Sequence, residues 1–179
     1  MLRNLLILLI FFNCFFCFSQ NKKTLIKEGN SLYNDSSYNM AEMKYRKSLE
    51  KDQDYFNAAF NLADAIYKQN RFEESTSLFD ALKDNARNNE DLARINHNLG
   101  NSYLKENKLE QAIEEYKSSL RLNPNDEETR YNLAYAQKMK QQQDQKQDQQ
   151  QDQQQDKKQD KQQDQQQDHP QSQQPHEEN

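Results

Sequence analysis

Glycine is scarce in this chain: its 179 residues include two, Gly29 and Gly100. A loop that cradles phosphate needs several glycines close together, because backbone N–H groups must approach the anion. Tryptophan is absent, and the three histidines, His97, His169 and His176, lie far apart or in the tail. No nucleophile is assembled with a base and an orienting acid. We therefore expect no enzyme, no catalytic residue, no cofactor, no metal site and no small-molecule substrate.

Cysteine is limited to Cys14 and Cys17, which lie in an apolar stretch near the start of the chain. A single arginine precedes this almost unbroken run, which extends from residue 5 to residue 18 and is followed by Ser19. That order is typical of a secretory signal peptide over residues 1–19, and cleavage after Ser19 would remove both thiols. The alternative is an uncleaved membrane anchor, although the run is shorter than the about 20 residues of a spanning helix. Both interpretations place the rest of the chain outside the cytoplasm.

Excess charge of one sign is confined to the end of the chain. Residues 141–179 contain nine carboxylates and four lysines, which account for the whole net charge of −5. Nucleic-acid binding depends on clustered lysine and arginine that displace counterions from phosphates. A neutral body with an acidic tail therefore predicts no nucleic-acid partner.

The Gln/Asp/Lys-rich tail, residues 141–179, has no apolar side chain to bury, which predicts disorder. Glutamine and lysine nevertheless favour helices, and neither glycine nor proline occurs between Pro124 and Pro170. Aspartates recur at every fourth position from Asp144 to Asp168, and like charges at that spacing repel along a helix. We expect a low-complexity tail that is disordered or partly helical. It acts either as a spacer or as an acidic docking strip.

A fixed period organises the middle of the chain. Gly29, Ala63, Gly100 and Ala134 fall into register at spacings of 34, 37 and 34 residues. After them come a polar break and a second helical pattern, as in YLKENKLEQAIEEYKSSL. The pattern resembles the tetratricopeptide repeat, a helix–turn–helix unit of 34 residues. The resemblance implies an all-α superhelix of helical hairpins, with three repeats and a capping helix.

This register sets the predicted boundaries and the packing. We assign residues 20–140 to the repeat domain, with repeats at about 22–55, 56–92 and 93–126 and a cap helix at 127–140. Small side chains let paired helices approach closely: Gly29, Ala63 and Gly100, with Ala41, Ser75 and Ala112 opposite.

Two local features of this domain carry their own expectations. Glu28 stands where the repeat has leucine, which favours a frayed or solvent-facing first helix. A terminal helix must also cover the last apolar face of a stack. The side chains expected to do so are Tyr131, Leu133, Ala134, Tyr135 and Ala136.

The first helix of each repeat lines the concave side of such an array, where these modules bind their partners. An aromatic and amide-rich lining suits an extended or helical peptide, because asparagines can satisfy main-chain amides. The alternative is a purely structural role, since asparagine is ordinary at several of these positions. The candidate partner-binding residues are Asn30, Tyr33, Asn57, Phe60, Asp64, Tyr67, Arg94, His97, Asn101, Lys105, Tyr131 and Tyr135.

Some relatives of this repeat hold a peptide C-terminus with two asparagines and three basic residues. Asn30, Asn61 and Arg94 match three of these five positions, whereas Ile26 and Asn98 occupy the other two. Because most of the carboxylate-binding charge is missing, we expect no such clamp.

The combination of signal segment, three repeats, a cap of the form RYNLAYAQKMK and a Gln/Asp/Lys tail resembles the BatC-type proteins of the Bacteroides aerotolerance operon. The resemblance implies a non-catalytic scaffold in the periplasm or at the periplasmic face of the inner membrane. It also implies von Willebrand A-type membrane proteins as partners, in a complex linked to oxygen or stress tolerance. The alternative is an assembly factor or chaperone-like adaptor that binds many envelope proteins weakly.

Overall fold

The computed structural model describes residues 21–167 and divides into two compact units between Ala136 and Gln137. The predicted signal segment, residues 1–19, and the end of the tail, residues 168–179, lie outside the described residues. The α-helices are α1 Lys22–Asn34, α2 Tyr38–Lys51, α3 Phe56–Lys68, α4 Phe72–Leu82, α5 Asn89–Lys105, α6 Leu109–Leu122 and α7 Glu127–Gln167, and a 3-10 turn, Lys83–Asn85, follows α4.

Consecutive helices pack against each other throughout the first unit. The hairpins are α1 with α2, α3 with α4, and α5 with α6, and they stack through α2 against α3 and α4 against α5. No strand occurs within residues 21–167. The predicted all-α fold of stacked helical hairpins is therefore confirmed. Among the same residues, no helix combines the length and the apolar character that crossing a membrane requires.

The three hairpin turns have the same backbone conformation. Ser36, Asn70 and Asn107 each have a positive φ, at 58°, 62° and 58°. The N–H of the following residue reaches back to a carbonyl in the last turn of the first helix, as in Arg71 to Ile66 at 3.3 Å. This left-handed ending satisfies carbonyl groups that the helix itself cannot, and asparagine tolerates the conformation well. One residue in the left-handed region thus reverses the chain in every repeat.

Gly29 and Gly100 each lie against a tyrosine ring of the paired helix. A Cβ added to either glycine would stand 2.5 Å from Cε1 of Tyr45 or Tyr116, respectively. Atoms in real structures do not approach so closely, so the missing side chain makes room for the ring. The small residues predicted to admit a neighbouring helix therefore admit a tyrosine at these two positions.

Buried apolar side chains form one cluster for each junction along the stack. The first two clusters are each filled from two successive hairpins, and the third is filled from the last hairpin and α7, so each hairpin relies on a neighbouring element to bury its apolar face. The main members are Tyr45, Leu62 and Ile66 in the first cluster, Phe60, Phe79 and Leu99 in the second, and Ala112, Tyr116 and Ala136 in the third.

Helix α1 is better anchored than its sequence predicts. Asn21 caps its start, with Oδ1 accepting a hydrogen bond from the Lys23 N–H at 3.2 Å. Leu25 is buried, and Glu28 forms an ion pair with Lys44 of α2. The expectation of a frayed or solvent-facing helix was wrong. A lysine on another helix pairs with the carboxylate, and a local pattern does not show that contact.

Helix α7 covers the last hairpin, but only some of the five side chains expected to do so are buried. Thr129 and Ala136 are fully buried at this junction. Tyr131 and Tyr135 are 71% and 49% exposed, and Ala134 is exposed as well. The prediction that these three residues cover the core was therefore wrong. Thr129 takes a buried place despite its hydroxyl, because that hydroxyl is hydrogen-bonded.

Candidate functional site

Two cavities lie among the first helices of the hairpins, and we call them together the groove. The first, of about 270 Å³, is lined by residues of α1 and α3 and by Tyr45 of α2. The second, of about 400 Å³, is lined by residues of α3 and α5, by Asp126 and by Glu128 of α7. Asp64 lines both cavities and so lies where they meet.

Most of the candidate partner-binding residues line this groove. Asn57, Lys105, Tyr131 and Tyr135 are instead exposed outside the two cavities. The eight residues that line the groove are Asn30, Tyr33, Phe60, Asp64, Tyr67, Arg94, His97 and Asn101. The lining residues outside the candidate set are Asn34, Tyr45, Asn61, Lys68, Asn98, Asp126 and Glu128. Partner contact by any of these residues stays a prediction.

Asn30 is held by two donors in the first cavity. Its Oδ1 accepts a hydrogen bond from the Tyr45 hydroxyl at 2.8 Å and another from Asn61 Nδ2 at 2.9 Å. These bonds fix the orientation of the amide. Asn30 is exposed and lines the cavity, so its two N–H donors are accessible there. A main-chain carbonyl is one group that could accept from such preoriented donors.

Asn101 repeats this arrangement 71 residues later. Its Oδ1 accepts hydrogen bonds from the Tyr116 hydroxyl at 2.7 Å and from Asn132 Nδ2 at 3.0 Å. Here, however, Nδ2 is engaged with His97 Nε2 at 2.9 Å. The role of Asn132 was missed from the sequence, although the repeat register relates it to Asn61.

His97 connects α5 to the start of α7. Because Asn101 donates to Nε2, this nitrogen accepts and Nδ1 carries the proton. Nδ1 lies 2.6 Å from the Thr129 hydroxyl, which in turn donates to Asp126 Oδ2 at 2.7 Å. The Thr129 hydroxyl belongs to a fully buried residue, so this histidine, threonine and aspartate form a structural chain rather than an accessible nucleophile.

The charge of Asp126 is stabilised within that chain. Burial of its carboxyl opposes ionisation, but hydrogen bonds from the Thr129 N–H and hydroxyl outweigh it and lower the pKa of Asp126. An ionised Asp126 is the acceptor that orients Thr129, and the Thr129 hydroxyl oxygen accepts a hydrogen bond from His97 Nδ1–H. The second cavity therefore has one wall fixed by a continuous set of hydrogen bonds.

Three tyrosines share a cavity lining with Asp64: Tyr33 and Tyr45 in the first cavity, and Tyr67 in the second. Burial, followed by a hydrogen bond to Asp64, raises the pKa of Tyr33. Burial, followed by the charge of Asp64, raises the pKa of Tyr45 to about 12 and also raises the pKa of Tyr67. These tyrosines stay neutral at physiological pH and supply aromatic faces beside a carboxylate.

Arg94 of α5 also lines the second cavity. Its guanidinium carbon is 4.3 Å from the centre of the Phe60 ring, a cation–π distance. Asn98 donates from Nδ2 to the carbonyl of Arg94 at 2.9 Å, and Ile26 is buried. The residues that stand at two of the basic clamp positions thus serve the fold. We still expect no clamp for a peptide C-terminus.

No group of three or more potential metal ligands occurs among histidine, cysteine and acidic residues of the described part of the chain. What the groove offers is hydrogen-bond donors from fixed amides, aromatic faces, and charges of both signs. Such a surface can hold a peptide segment of another protein.

Comparison with known proteins identifies the repeats. A tetratricopeptide repeat model matches residues 26–90, and a second TPR repeat model matches residues 100–141, together more than half of the chain. No curated protein matches the chain significantly.

Solved structures show the same fold at low sequence identity. The first TPR of Spaghetti (RPAP3), bound to the HSP90 peptide SRMEEVD, has a TM-score of 0.62 and 23% identity, covering 68% of this chain and 94% of that one. The first TPR domain of human RPAP3 has a TM-score of 0.61 and 22% identity, covering 65% and 90%. The TPR2AB domain of yeast Sti1, in a complex with pHSP90, has a TM-score of 0.63 and 22% identity, covering 69% and 48%.

Proposed function

Because the chain belongs to the tetratricopeptide-repeat proteins, we propose that it is a non-catalytic scaffold whose groove holds a segment of a protein partner. The observation that carries this proposal is Asn30, whose Oδ1 is fixed by Tyr45 and Asn61 while its N–H donors remain at the cavity. Preorientation lowers the entropy lost when a peptide binds. Two of the similar structures are complexes with HSP90 or an HSP90 peptide, which supports a peptide as the occupant here.

The proposed setting is a complex in the cell envelope. The apolar segment at residues 5–18 supports export, to the periplasm or to the periplasmic face of the inner membrane. The resemblance to BatC-type proteins supports von Willebrand A-type membrane proteins as partners and a link to aerotolerance or stress. Export and the identity of the partners are both inferred from the amino-acid sequence.

Site-specific cross-linking in the cells that make the protein tests this proposal. A photoreactive phenylalanine replaces Tyr67, which lines the groove, in the tagged full-length chain. The matched control replaces Met43 of α2, which is 53% exposed and lies outside both cavities. We expect cross-links from position 67 to a defined pair of membrane proteins, with few from position 43.

Equal cross-linking from both positions would contradict a role for the groove. Recovery of many unrelated envelope proteins from position 67 would favour the chaperone-like adaptor over the scaffold. Fractionation of the same cells tests export, because a cytoplasmic product would contradict the proposed location.

A further inference from the structure

We propose that the groove selects a segment that carries a lysine or arginine side chain, and that Asp64 binds this cation where the two cavities meet. The inference rests on the proposed function, because it names the chemistry of the segment that the groove holds. It assigns Asp64 the role of a specificity-determining residue.

Asp64 lacks the hydrogen bonds that fix the equivalent residues of the first and third repeats. It occupies the position of Asn30 in the first repeat and of Asn101 in the third. The Oδ1 atoms of those asparagines are each held by a tyrosine hydroxyl from the second helix and by an asparagine from the next hairpin or α7.

Both of these donors are missing for Asp64. The residue in register with Tyr45 and Tyr116 is Phe79, which has no hydroxyl. The residue in register with Asn61 and Asn132 is Asn98, and its Nδ2 donates to the carbonyl of Arg94 instead. The second repeat therefore places a carboxylate at this point without the contacts that tie its counterparts into the fold.

The charge of Asp64 is also not neutralised by an ion pair. No lysine or arginine of the described residues lies within ion-pair distance of its carboxylate. The lysine and the arginine that line the second cavity are placed on rings: Arg94 over Phe60, and Lys68 with Nζ 5.9 Å from the centre of the Tyr67 ring. A cation on the ligand would supply the missing partner.

The surroundings of Asp64 suit an ammonium or guanidinium group. Tyr33 and Tyr45 line the first cavity together with Asp64, and Tyr67 lines the second cavity with it. Aromatic faces beside a carboxylate attract a cation and pack against the aliphatic stem of a lysine. A carboxylate ligand at the same place would meet like charge, so Asp64 favours basic segments and disfavours acidic ones.

Peptide selection on the tagged protein tests this inference. The probe is a random 12-residue peptide library displayed on phage, selected against the full chain and against its Asp64→Asn variant. Asparagine is the residue at the equivalent position of the first and third repeats, so the variant should keep the fold. The matched control is Asp54→Asn, which removes the same charge from an exposed turn outside both cavities.

We expect peptides enriched in a single lysine or arginine from the wild-type chain and from Asp54→Asn, but not from Asp64→Asn. A selected peptide should bind Asp64→Asn about tenfold more weakly, and added salt should weaken its binding to the wild type more than to that variant. Enrichment of peptides without basic residues would overturn the inference and leave the proposed function standing. Failure of the wild type to enrich any peptide would overturn both.

Discussion

At the scale of the residue, the two glycines are required because a tyrosine ring packs against each of them. Tyr116 is fully buried, and its hydroxyl is tied to Asn101, so its ring cannot move away from Gly100 without breaking that hydrogen bond. A glycine inside a helix ordinarily lowers stability by about 1 kcal/mol relative to alanine. Here glycine is nevertheless the more stable choice, because any side chain would clash with the tyrosine ring.

Replacing Gly100 with alanine should therefore destabilise the protein, contrary to helix propensity. The added Cβ would stand 2.5 Å from Cε1 of Tyr116, and overpacking of this kind costs about 1–3 kcal/mol. We expect a net loss of about 1–2 kcal/mol in the free energy of unfolding, measured by urea denaturation. In a Tyr116→Leu background the same replacement should instead stabilise the protein. A change of the same sign in both backgrounds would contradict the role given to the ring.

The glycine positions could be predicted from the 34-residue period, but the contact that explains them could not. A sequence period shows where a small residue recurs. It does not show whether a backbone or a side chain enters the space. Thr129 illustrates the same limit, because a threonine in a polar segment becomes fully buried only once Asp126 and His97 provide its hydrogen bonds.

At the scale of the element, the start of α7 completes the third hairpin. Ala136 packs with Ala112, Ile113 and Tyr116, and Thr129 joins α7 to His97 of α5. In a stack of repeats, stability is a sum of repeat terms and interface terms, and the last interface needs a cover. The first ten residues of α7, Glu127 to Ala136, belong to the same compact unit as the hairpins.

Two truncated chains should show how much the start of α7 contributes to the free energy of unfolding. A chain that ends after Lys140 keeps the buried residues of α7, whereas one that ends after Asp126 exposes the face of α6 beneath them. We expect the shorter chain to be less stable by about 3 kcal/mol, which is the effect of moving one or two large side chains from burial into water. Urea denaturation of both chains measures this difference. Equal unfolding free energies would show that α6 needs no cover.

The helices themselves were largely predictable, because period and apolar spacing repeat three times. Errors arose where one helix depends on a residue of another. Glu28 suggested a loose first helix, yet Lys44 of α2 pairs with it. Tyr131 and Tyr135 looked like core residues of the cap, yet they are exposed because α7 turns Thr129 and Ala136 toward the hairpins. The interactions that decide such cases lie outside the local pattern.

At the scale of the whole molecule, the charges of residues 1–140 balance in number, whereas those of the tail do not. Ion pairs join successive hairpins of the first unit, including Arg71 with Glu42 and Lys83 with Glu115. In the tail, carboxylates outnumber lysines nine to four, which gives the net charge of −5. The groove was predictable as a surface from the repeat register. Its centre at Asp64 was not singled out, because only the structure shows that Tyr45 and Tyr116 hold the counterparts of Asp64 and that Asn98 donates elsewhere.

Removal of residues 141–179 should therefore leave stability unchanged and lower solubility. This segment contains no apolar side chain, so its removal takes no apolar group away from the repeat domain. We expect its unfolding free energy to change by less than about 0.5 kcal/mol. The remaining chain is close to neutral, and proteins without net charge associate more readily, so its solubility at pH 7 should fall.

The same deletion separates the two roles left open for the tail. If the tail is a spacer, the chain ending at Lys140 should capture the same partners through position 67 as the full chain does. An acidic docking strip predicts a loss of capture that added salt reproduces in the full chain, because exposed charges are screened. The matched control keeps the length and replaces the seven aspartates from Asp144 to Asp168 with serine, which removes seven of the nine carboxylates without the strand-pairing tendency of long glutamine tracts. Capture by this control, together with loss in the deletion, would identify length rather than charge as the property that the partner complex requires.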